Sequence, residues 1–208
     1  RCDIVFTGGH SLHEAKRRFH SQVHAIPSSV DVEHFALARS PLGEPADQAH
    51  LPRPKLEYCG VTDGRLDLDL GREIAAARPD WHLVFVGPDT KIDPDSLPRA
   101  DNIHYLGGRA YHELPEYLSG WDVALLPFAH NESTRFISPT KTPEYLAAGL
   151  EVVSTSVRDV VRTFGDSGFV EIADGATDFI AASETCLTRN APQRQHLVDR
   201  YLAMQSWD

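Results

Sequence analysis

Short apolar runs rich in β-branched residues alternate with stretches of helical periodicity along the chain. The runs are apolar at nearly every position, which favours strands buried on both faces, as in a parallel sheet. Strand–helix alternation of this kind predicts an α/β sheet with right-handed crossovers. The predicted strands cover residues 4–7, 23–27, 56–60, 82–87, 103–107, 122–128, 151–155 and 169–172, and the predicted helices cover residues 11–19, 66–78, 111–120, 142–148, 157–163, 176–188 and 192–204.

Residues 36–54 interrupt this alternation and predict a linker or surface excursion. Elsewhere, Asp63 is placed to cap the helix at 66–78. The helix at 111–120 carries one apolar face. The breakers in the excursion are Pro41, Gly43, Pro45, Pro52 and Pro54, and the apolar face consists of Leu114, Tyr117 and Leu118.

The stretch 138–149, Ser-Pro-Thr-Lys-Thr-Pro-Glu-Tyr-Leu-Ala-Ala-Gly, predicts a helix that starts from a turn and leads into a β-branched strand. Pro139 and Pro143 suit the approach to a helix and its first turn, where a missing N–H costs nothing. Gly149 is typical of the residue that ends a helix.

The start of this helix has the residues of an anion site. The N–H groups of Thr140, Lys141 and Thr142 are predicted to lack intrahelical partners, and the Lys141 ammonium adds positive charge. Together these groups suit a phosphate. Glu144 lies one turn further, roughly 5 Å along the axis, where its carboxylate can accept hydrogen bonds from vicinal hydroxyls such as those of a ribose. Phosphate donors beside a diol acceptor describe a site for a nucleoside diphosphate.

Glu144 followed by Ala-Ala-Gly and Val-Val-Ser resembles the nucleotide-sugar signature in the C-terminal domain of retaining GT-B glycosyltransferases. In that superfamily the motif is Glu-x7-Glu. Glu144 fits the second position, which contacts the donor ribose, and Phe136 stands at the first, which contacts the donor sugar. The chain is therefore similar to a variant branch with Pro-x-Lys before the glutamate, which includes teichuronic-acid-type and related bacterial polysaccharide transferases. Residues 22–35 resemble the interdomain segment of the family, and residues 206–208 resemble the tripeptide before its final crossover helix.

This resemblance implies a Rossmann-like parallel sheet with helices on both faces, as in the C-terminal domain of the GT-B fold, with a strand–helix remnant of the N-terminal domain. Residues 1–35 would end the N-terminal domain and cross between domains, 36–54 would be the linker or excursion, and 55–208 would bind the nucleotide sugar. The implied reaction is metal-independent, cofactor-free transfer from a nucleotide sugar, with UDP favoured and GDP next. The acceptor, a glycan or other small molecule, would bind through the missing N-terminal domain, so this fragment alone is expected to be inactive.

Ligands of open parallel sheets bind outside the carboxyl ends of the strands, and this rule selects further residues. Gly60 lets the backbone approach a phosphate, and Arg65 can contact one, although Val61 stands where the family usually has arginine. The alternative is that Asp63 and Arg65 are only a cap and a solvated charge. The resemblance implies that the edges at Gly87, Gly107 and Arg109 flank the nucleobase; an ordinary strand-to-helix turn is the alternative at each.

The loop at 128–137 is unusually polar for a segment that follows an apolar strand. Asn131, Glu132 or Arg135 is expected to face the donor sugar in place of the absent first glutamate, and a plain surface loop is the alternative. The implied catalytic groups are Lys141 and Arg65, which would meet the negative charge of the departing nucleotide. Pro139 belongs to the same implied donor site.

Net charge, hydrophobicity and cysteine content argue against several classes of function. The formal net charge of −10 argues against non-specific nucleic acid binding, and no apolar run reaches the length of a membrane span. Cys2, Cys59 and Cys186 form no C-x-x-C pair and indicate reduced thiols in a cytosolic protein, with Cys59 packed inside a strand. The predicted location is cytoplasmic, with a peripheral position at the inner membrane face left open.

Other classes of site are not supported. The eleven histidines include helically spaced pairs, but no carboxylate or cysteine cluster completes a metal site. The dinucleotide and Walker A glycine motifs are missing from the sequence. Two alternatives to a transferase stay open: a non-catalytic α/β nucleotide-binding or interaction module, and a GT-B nucleotide-sugar epimerase.

Overall fold

The computed structural model describes residues 2–90, 92–189 and 192–204. The predicted strands and helices are all present, with ends displaced by a few residues, whereas the tripeptide at 206–208 lies outside the described residues. The strands are β1 Val5–Thr7, β2 Val23–Ala25, β3 Lys55–Cys59, β4 His82–Val86, β5 Ile103–Gly107, β6 Val123–Leu126, β7 Val152–Ser154 and β8 Glu171–Ile172. The α-helices are α1 His10–Lys16, α2 Val32–Ala36, α3 Ala46–Ala49, α4 Leu68–Ala77, α5 Leu114–Leu118, α6 Lys141–Ala147, α7 Arg158–Val160, α8 Ala176–Thr188 and α9 Pro192–Leu202.

Six strands form a single parallel sheet in the order β5-β4-β3-β6-β7-β8, and β1 and β2 form a separate parallel pair. This arrangement confirms the predicted α/β class. The central strands β3, β6 and β7 are buried along their whole lengths, which explains the nearly continuous apolar sequences of β6 and β7. Strand β3 is the exception, since it carries Lys55 and Glu57.

Helices cover both faces of the six-stranded sheet. Helices α4 and α8 contact each other and pack on the face that carries Tyr58 and Phe85. Helix α6 packs on the opposite face, where it also contacts α2 and α9. On the predicted apolar face of α5, Leu114, Tyr117 and Leu118 are all buried, as expected.

Helix α6 ends as the sequence predicts. Gly149 has φ of 84°, its N–H donates to Leu146 O at 3.1 Å, and the next N–H, of Leu150, donates to Tyr145 O at 3.0 Å. This pair of hydrogen bonds is a Schellman motif, which uses a left-handed residue to satisfy the last carbonyl groups of a helix. The motif turns the chain directly into β7.

The structure differs from two local predictions, the cap of α4 and the character of residues 36–54. Asp63 does not cap α4; the helix begins at Leu68, and Asp67 accepts the N–H of Leu70 at 2.9 Å. Residues 36–54 fold into short helical turns that contact the domain: Gln48 is fully buried and donates to Tyr117 O at 2.9 Å. Proline and glycine signals located the break in the pattern but not the buried side chains within it.

The cysteines are free thiols, with Cys2 exposed and Cys186 buried. Cys59 is buried in β3, as predicted, and burial raises the pKa of its thiol to about 11. In the described ranges, none of the helices combines the length and apolar character that crossing a bilayer requires.

Candidate functional site

Loops from four strands meet at the carboxyl edge of the sheet. The Gly60 N–H, after β3, donates to Val86 O at 2.8 Å, and the Gly87 N–H, after β4, donates to Gly107 O at 2.9 Å. The loop after β6 joins them through the Ala129 N–H, which donates to Arg65 O at 2.8 Å. The structure therefore brings together the edges that the sequence selected separately.

Lys141 and Glu144 form an ion pair at the start of α6. Lys141 Nζ lies 2.7 Å from Glu144 Oε2, and the two side chains are only 25% and 14% exposed. Burial raises the pKa of Glu144, and the ammonium of Lys141 offsets part of this rise. Burial also disfavours the Lys141 ammonium, but Cys59 and Glu144 beside it hold its pKa above the usual value. The pair places a fixed positive charge and an acceptor carboxylate side by side.

The first turn of α6 leaves donors available. Within the described residues, nothing accepts a hydrogen bond from the N–H groups of Thr140, Lys141 or Thr142, and the Thr140 side chain makes no capping bond. Thr140 is exposed and Pro139 half-buried, whereas the Thr142 side chain is buried and its hydroxyl has no described partner. Because Thr142 is fully buried, Thr140 and Lys141 are the residues of this turn that a ligand can reach.

Tyr145 fixes this helix start against the sheet, a contact that the sequence analysis missed. The Cys59 N–H donates to the Tyr145 hydroxyl at 2.7 Å, and the hydroxyl donates to Cys59 O at 3.1 Å. Because β3 pairs with β6 only through Leu56 and Glu57, Cys59 lies beyond the ladder, and the tyrosine supplies the missing partner. Nothing in the sequence around Tyr145 indicates that its hydroxyl will bind the backbone of Cys59.

Replacing Tyr145 with phenylalanine is expected to lower the free energy of unfolding by about 1–3 kcal/mol, because a buried N–H and carbonyl lose their partner. Urea denaturation followed by circular dichroism measures the change. Tyr201→Phe is the matched control: this half-buried hydroxyl makes no hydrogen bond in the described part of the chain, so the change should be near zero. Equal effects of the two substitutions would contradict the anchoring role.

The predicted arginines are engaged by carboxylates. Arg65 Nε donates to Asp63 at 2.9 and 3.0 Å, which compensates its charge within the loop after β3. Arg109 binds Asp47 and the Tyr117 hydroxyl, so its side chain holds the 36–54 segment against α5. Because the Arg109 side chain is occupied by these contacts, its backbone near Gly107 is the part available to contact a nucleobase.

The side chains of the loop after β6 differ in their contacts: Asn131 bonds to the backbone, whereas, in the described residues, Glu132 and Arg135 do not. Asn131 Oδ1 accepts the Ser133 N–H at 2.9 Å, and its Nδ2 donates to Gly64 O at 2.8 Å, so this side chain shapes the loop. Glu132 and Arg135 are exposed, with 3.4 Å between their charged atoms, and the Arg135 guanidinium lies over the Phe136 ring. Of the three sugar-contact candidates, Glu132 and Arg135 are the ones whose charged ends reach solvent.

Sequence reasoning also missed an aromatic pair near Glu144. The rings of His34 and Tyr111 stack at 4.2 Å with 12° between their planes, and His34 Nε2 lies 3.0 Å from Tyr111 O. Asp31 starts α2 by accepting the His34 N–H at 3.0 Å. Helix α2, which carries His34, packs on α6, and this places the aromatic pair near the Lys141–Glu144 ion pair. In residues 2–90, 92–189 and 192–204, no three His, Cys, Asp or Glu side chains are grouped to hold a metal ion.

Comparison with known sequences finds a family model and a bacterial relative that match this chain. The model of the family described as glycosyl transferases group 1 matches residues 69–189, more than half of the chain. The chain is 27% identical over 220 residues to TuaH of Bacillus subtilis strain 168, whose name assigns it to teichuronic acid biosynthesis as a glycosyltransferase; the match covers 100% of this chain and 54% of TuaH.

Two solved structures extend the comparison. Sucrose-phosphate synthase of Thermosynechococcus elongatus matches with a TM-score of 0.74 and 18% identity over 100% of this chain and 55% of its own. Anabaena HepE in complex with UDP and glucose matches with a TM-score of 0.72 and 12% identity over 98% and 58%. These likenesses confirm the predicted Rossmann-like domain of the GT-B fold. The chain spans about half the length of the relatives it matches.

Proposed function

This chain belongs to the group 1 glycosyl transferases, and from that premise we propose that its carboxyl edge binds the nucleoside diphosphate of a nucleotide-sugar donor. UDP is the favoured nucleotide, with GDP next, and the reaction needs no metal. The sugar would pass to an acceptor whose contacts lie largely outside this chain. The structure of HepE with UDP and glucose supports the choice of UDP.

The Lys141–Glu144 pair carries the proposal. A lysine and a glutamate with 25% and 14% exposure are costly to bury, and one turn of helix α6 holds them at a strand edge where open sheets bind ligands. The N–H groups of Thr140 and Lys141, which have no partner in the described residues, add donors beside the ammonium. A diphosphate would use the ammonium and these donors, while a ribose diol would donate to the Glu144 carboxylate.

The proposed chemistry is stabilisation of a leaving group. When the bond between the sugar carbon and the diphosphate oxygen breaks, that oxygen keeps the electron pair and becomes more negative. Lys141 and the N–H groups at the start of α6 would meet this charge without rearranging, a form of stabilisation for which losing one donor costs ~3 kcal/mol. Arg65 contributes less, because Asp63 already compensates it.

Calorimetric titration of the chain with UDP, GDP and ADP tests the proposal. One nucleotide is expected to bind, and Lys141→Ala and Glu144→Ala are each expected to weaken it about thirtyfold, as expected for ~2 kcal/mol from a lost charge-assisted hydrogen bond. Asp69 and Arg72 on α4 form an exposed pair with the same i,i+3 spacing, so Arg72→Ala serves as the control and should leave affinity unchanged.

Two results would refute the donor site. One is the absence of binding by all three nucleotides to a chain that circular dichroism shows to be folded. The other is binding that Lys141→Ala and Glu144→Ala weaken no more than Arg72→Ala does. Preference for GDP or ADP would retain the site and correct the nucleotide.

A further inference from the structure

A basic cavity lies between α1, the loop after β6 and the start of α7. Its volume is about 330 Å³, and its charged lining consists of Arg18, Arg135, Arg158 and Glu14. A second cavity of about 270 Å³ shares Arg135 and Arg158 and extends toward His130. We refer to the two together as the arginine groove.

The groove has an excess of positive charge in a chain whose formal net charge is −10. The first cavity holds three guanidinium groups and one carboxylate, and the second adds no carboxylate. Glu14 is shared, since Arg158 lies 2.8 Å and Arg162 2.9 Å from its two oxygens. Arg18 makes no hydrogen bond or ion pair within the described residues. The charge of Arg18 and much of that of Arg158 is therefore available to a ligand.

The walls of the groove are held in place across a long stretch of sequence. The buried Asp159 carboxylate accepts the Ser11 N–H at 3.0 and 3.2 Å and also the Ser11 hydroxyl, which ties the start of α1 to α7. Gly9 packs so closely on Ser138 that a Cβ atom there would lie 2.8 Å from the serine Cβ. These contacts fix the backbone at the start of α1 and in α7, so the groove can bind a ligand without a backbone rearrangement.

The number of arginines distinguishes between anions. A single guanidinium satisfies a carboxylate through two parallel hydrogen bonds, whereas a terminal phosphate offers three oxygens and up to two charges. Three arginines around one cavity match the phosphate. The donor diphosphate is already accommodated at the start of α6, so the groove is free for the second substrate of a transfer.

We propose that the arginine groove binds a phosphate group of the acceptor, which makes the acceptor a phosphate ester. This inference rests on the proposed function, because it takes the start of α6 as the donor phosphate site. The groove shares its Arg135–Phe136 wall with the loop that leads into α6, so the acceptor would be held next to the donor. Arg18 and Arg158 act here as acceptor-binding residues.

The test is a titration of the UDP-saturated chain with sn-glycerol 3-phosphate, followed by NMR of the arginine side-chain N–H groups. Arg18→Gln and Arg158→Gln are each expected to weaken binding about tenfold. Arg72→Gln removes an arginine charge on α4 and is the control that should change nothing. Arg18 is exposed and unpaired, so its replacement should leave the fold intact even if that of Arg158 does not.

A parallel experiment asks where the phosphate comes from. Phosphatidylcholine vesicles with and without phosphatidic acid are sedimented with the chain. Cosedimentation that depends on phosphatidic acid and on Arg18 indicates a lipid-borne phosphate, whereas glycerol phosphate binding without it indicates a soluble ester. No binding of either probe, or binding that Arg18→Gln leaves unchanged, would overturn the inference. A wild-type chain that binds glycerol phosphate but none of UDP, GDP and ADP would instead refute the donor site alone.

Discussion

Replacing Gly87 with alanine is expected to destabilise the fold by about 3–5 kcal/mol. Gly87 has φ of 150°, a conformation that side chains disfavour, and a Cβ atom there would lie 1.9 Å from Gly60 O and 2.6 Å from Gly60 C. The opposing atoms are backbone, so no rotamer change relieves the clash. The loop after β3 would have to move, and with it the edge where the nucleotide is proposed to bind.

Thermal unfolding measures this effect, and a shift of roughly 10 °C is expected for a chain of this size. Gly64→Ala is the matched control from the loop that Gly87 presses against: a Cβ atom there meets nothing within 4 Å. That substitution should be neutral or slightly stabilising, by up to about 1 kcal/mol. A melting temperature of Gly87→Ala within a degree or two of the control would contradict the close approach.

Local sequence signals located the elements and the candidate site. Gly149 predicted the end of α6, and its Schellman hydrogen bonds confirm it. Lys141 and Glu144 follow a proline-rich turn at a strand edge, and the structure pairs them at 2.7 Å. The helix end and the closeness of Lys141 to Glu144 are predictable because the determining residues lie within one or two turns of each other; the role of the pair stays a prediction.

Contacts between segments that are distant in the sequence cannot be predicted from local sequence patterns. Asp159 reaches Ser11 across 148 positions, and Tyr145 reaches Cys59 across 86. Aspartate and tyrosine occur in many environments, so the residue type alone does not predict which distant residue will bind it. The prediction of Asp63 as a cap is wrong for the same reason. The sequence shows acidic residues before the helix, but only the path of the chain shows that Asp67 is the one at its start.

Glu57 is the least expected residue of the interior. It lies in the middle of β3, is fully buried, and neither carboxyl oxygen has a hydrogen-bond partner in the described residues. Burial raises its pKa well above the usual range; nearby Lys55 opposes this rise, and Glu44 adds to it. The Lys55 ammonium is occupied elsewhere, by Glu44 and by Gln48 O at 3.2 Å. Burial therefore favours the neutral acid of Glu57 in the folded chain.

Stability should consequently fall as the pH rises above the pKa of glutamate in the unfolded chain, about 4.3. Above that pH the unfolded state releases the Glu57 proton while the folded state keeps it, so each pH unit costs about 1.4 kcal/mol until the raised folded-state pKa is reached. Glu57→Gln removes the titration. Relative to wild type, the variant should gain stability as the pH rises from 5 to 7, as measured by urea denaturation.

Two further variants separate charge from polarity. Glu116 is exposed on α5, so Glu116→Gln is the control, and its stability should follow that of wild type at both pH values. Glu57→Met also removes the unbonded polar atoms, and since a buried polar group without a partner costs about 1–3 kcal/mol, it should exceed Glu57→Gln in stability at pH 5 as well. A constant offset between wild type and Glu57→Gln from pH 5 to pH 7 would show that Glu57 ionises within the fold. The nearby Lys55 ammonium, rather than a proton, would then balance the Glu57 carboxylate.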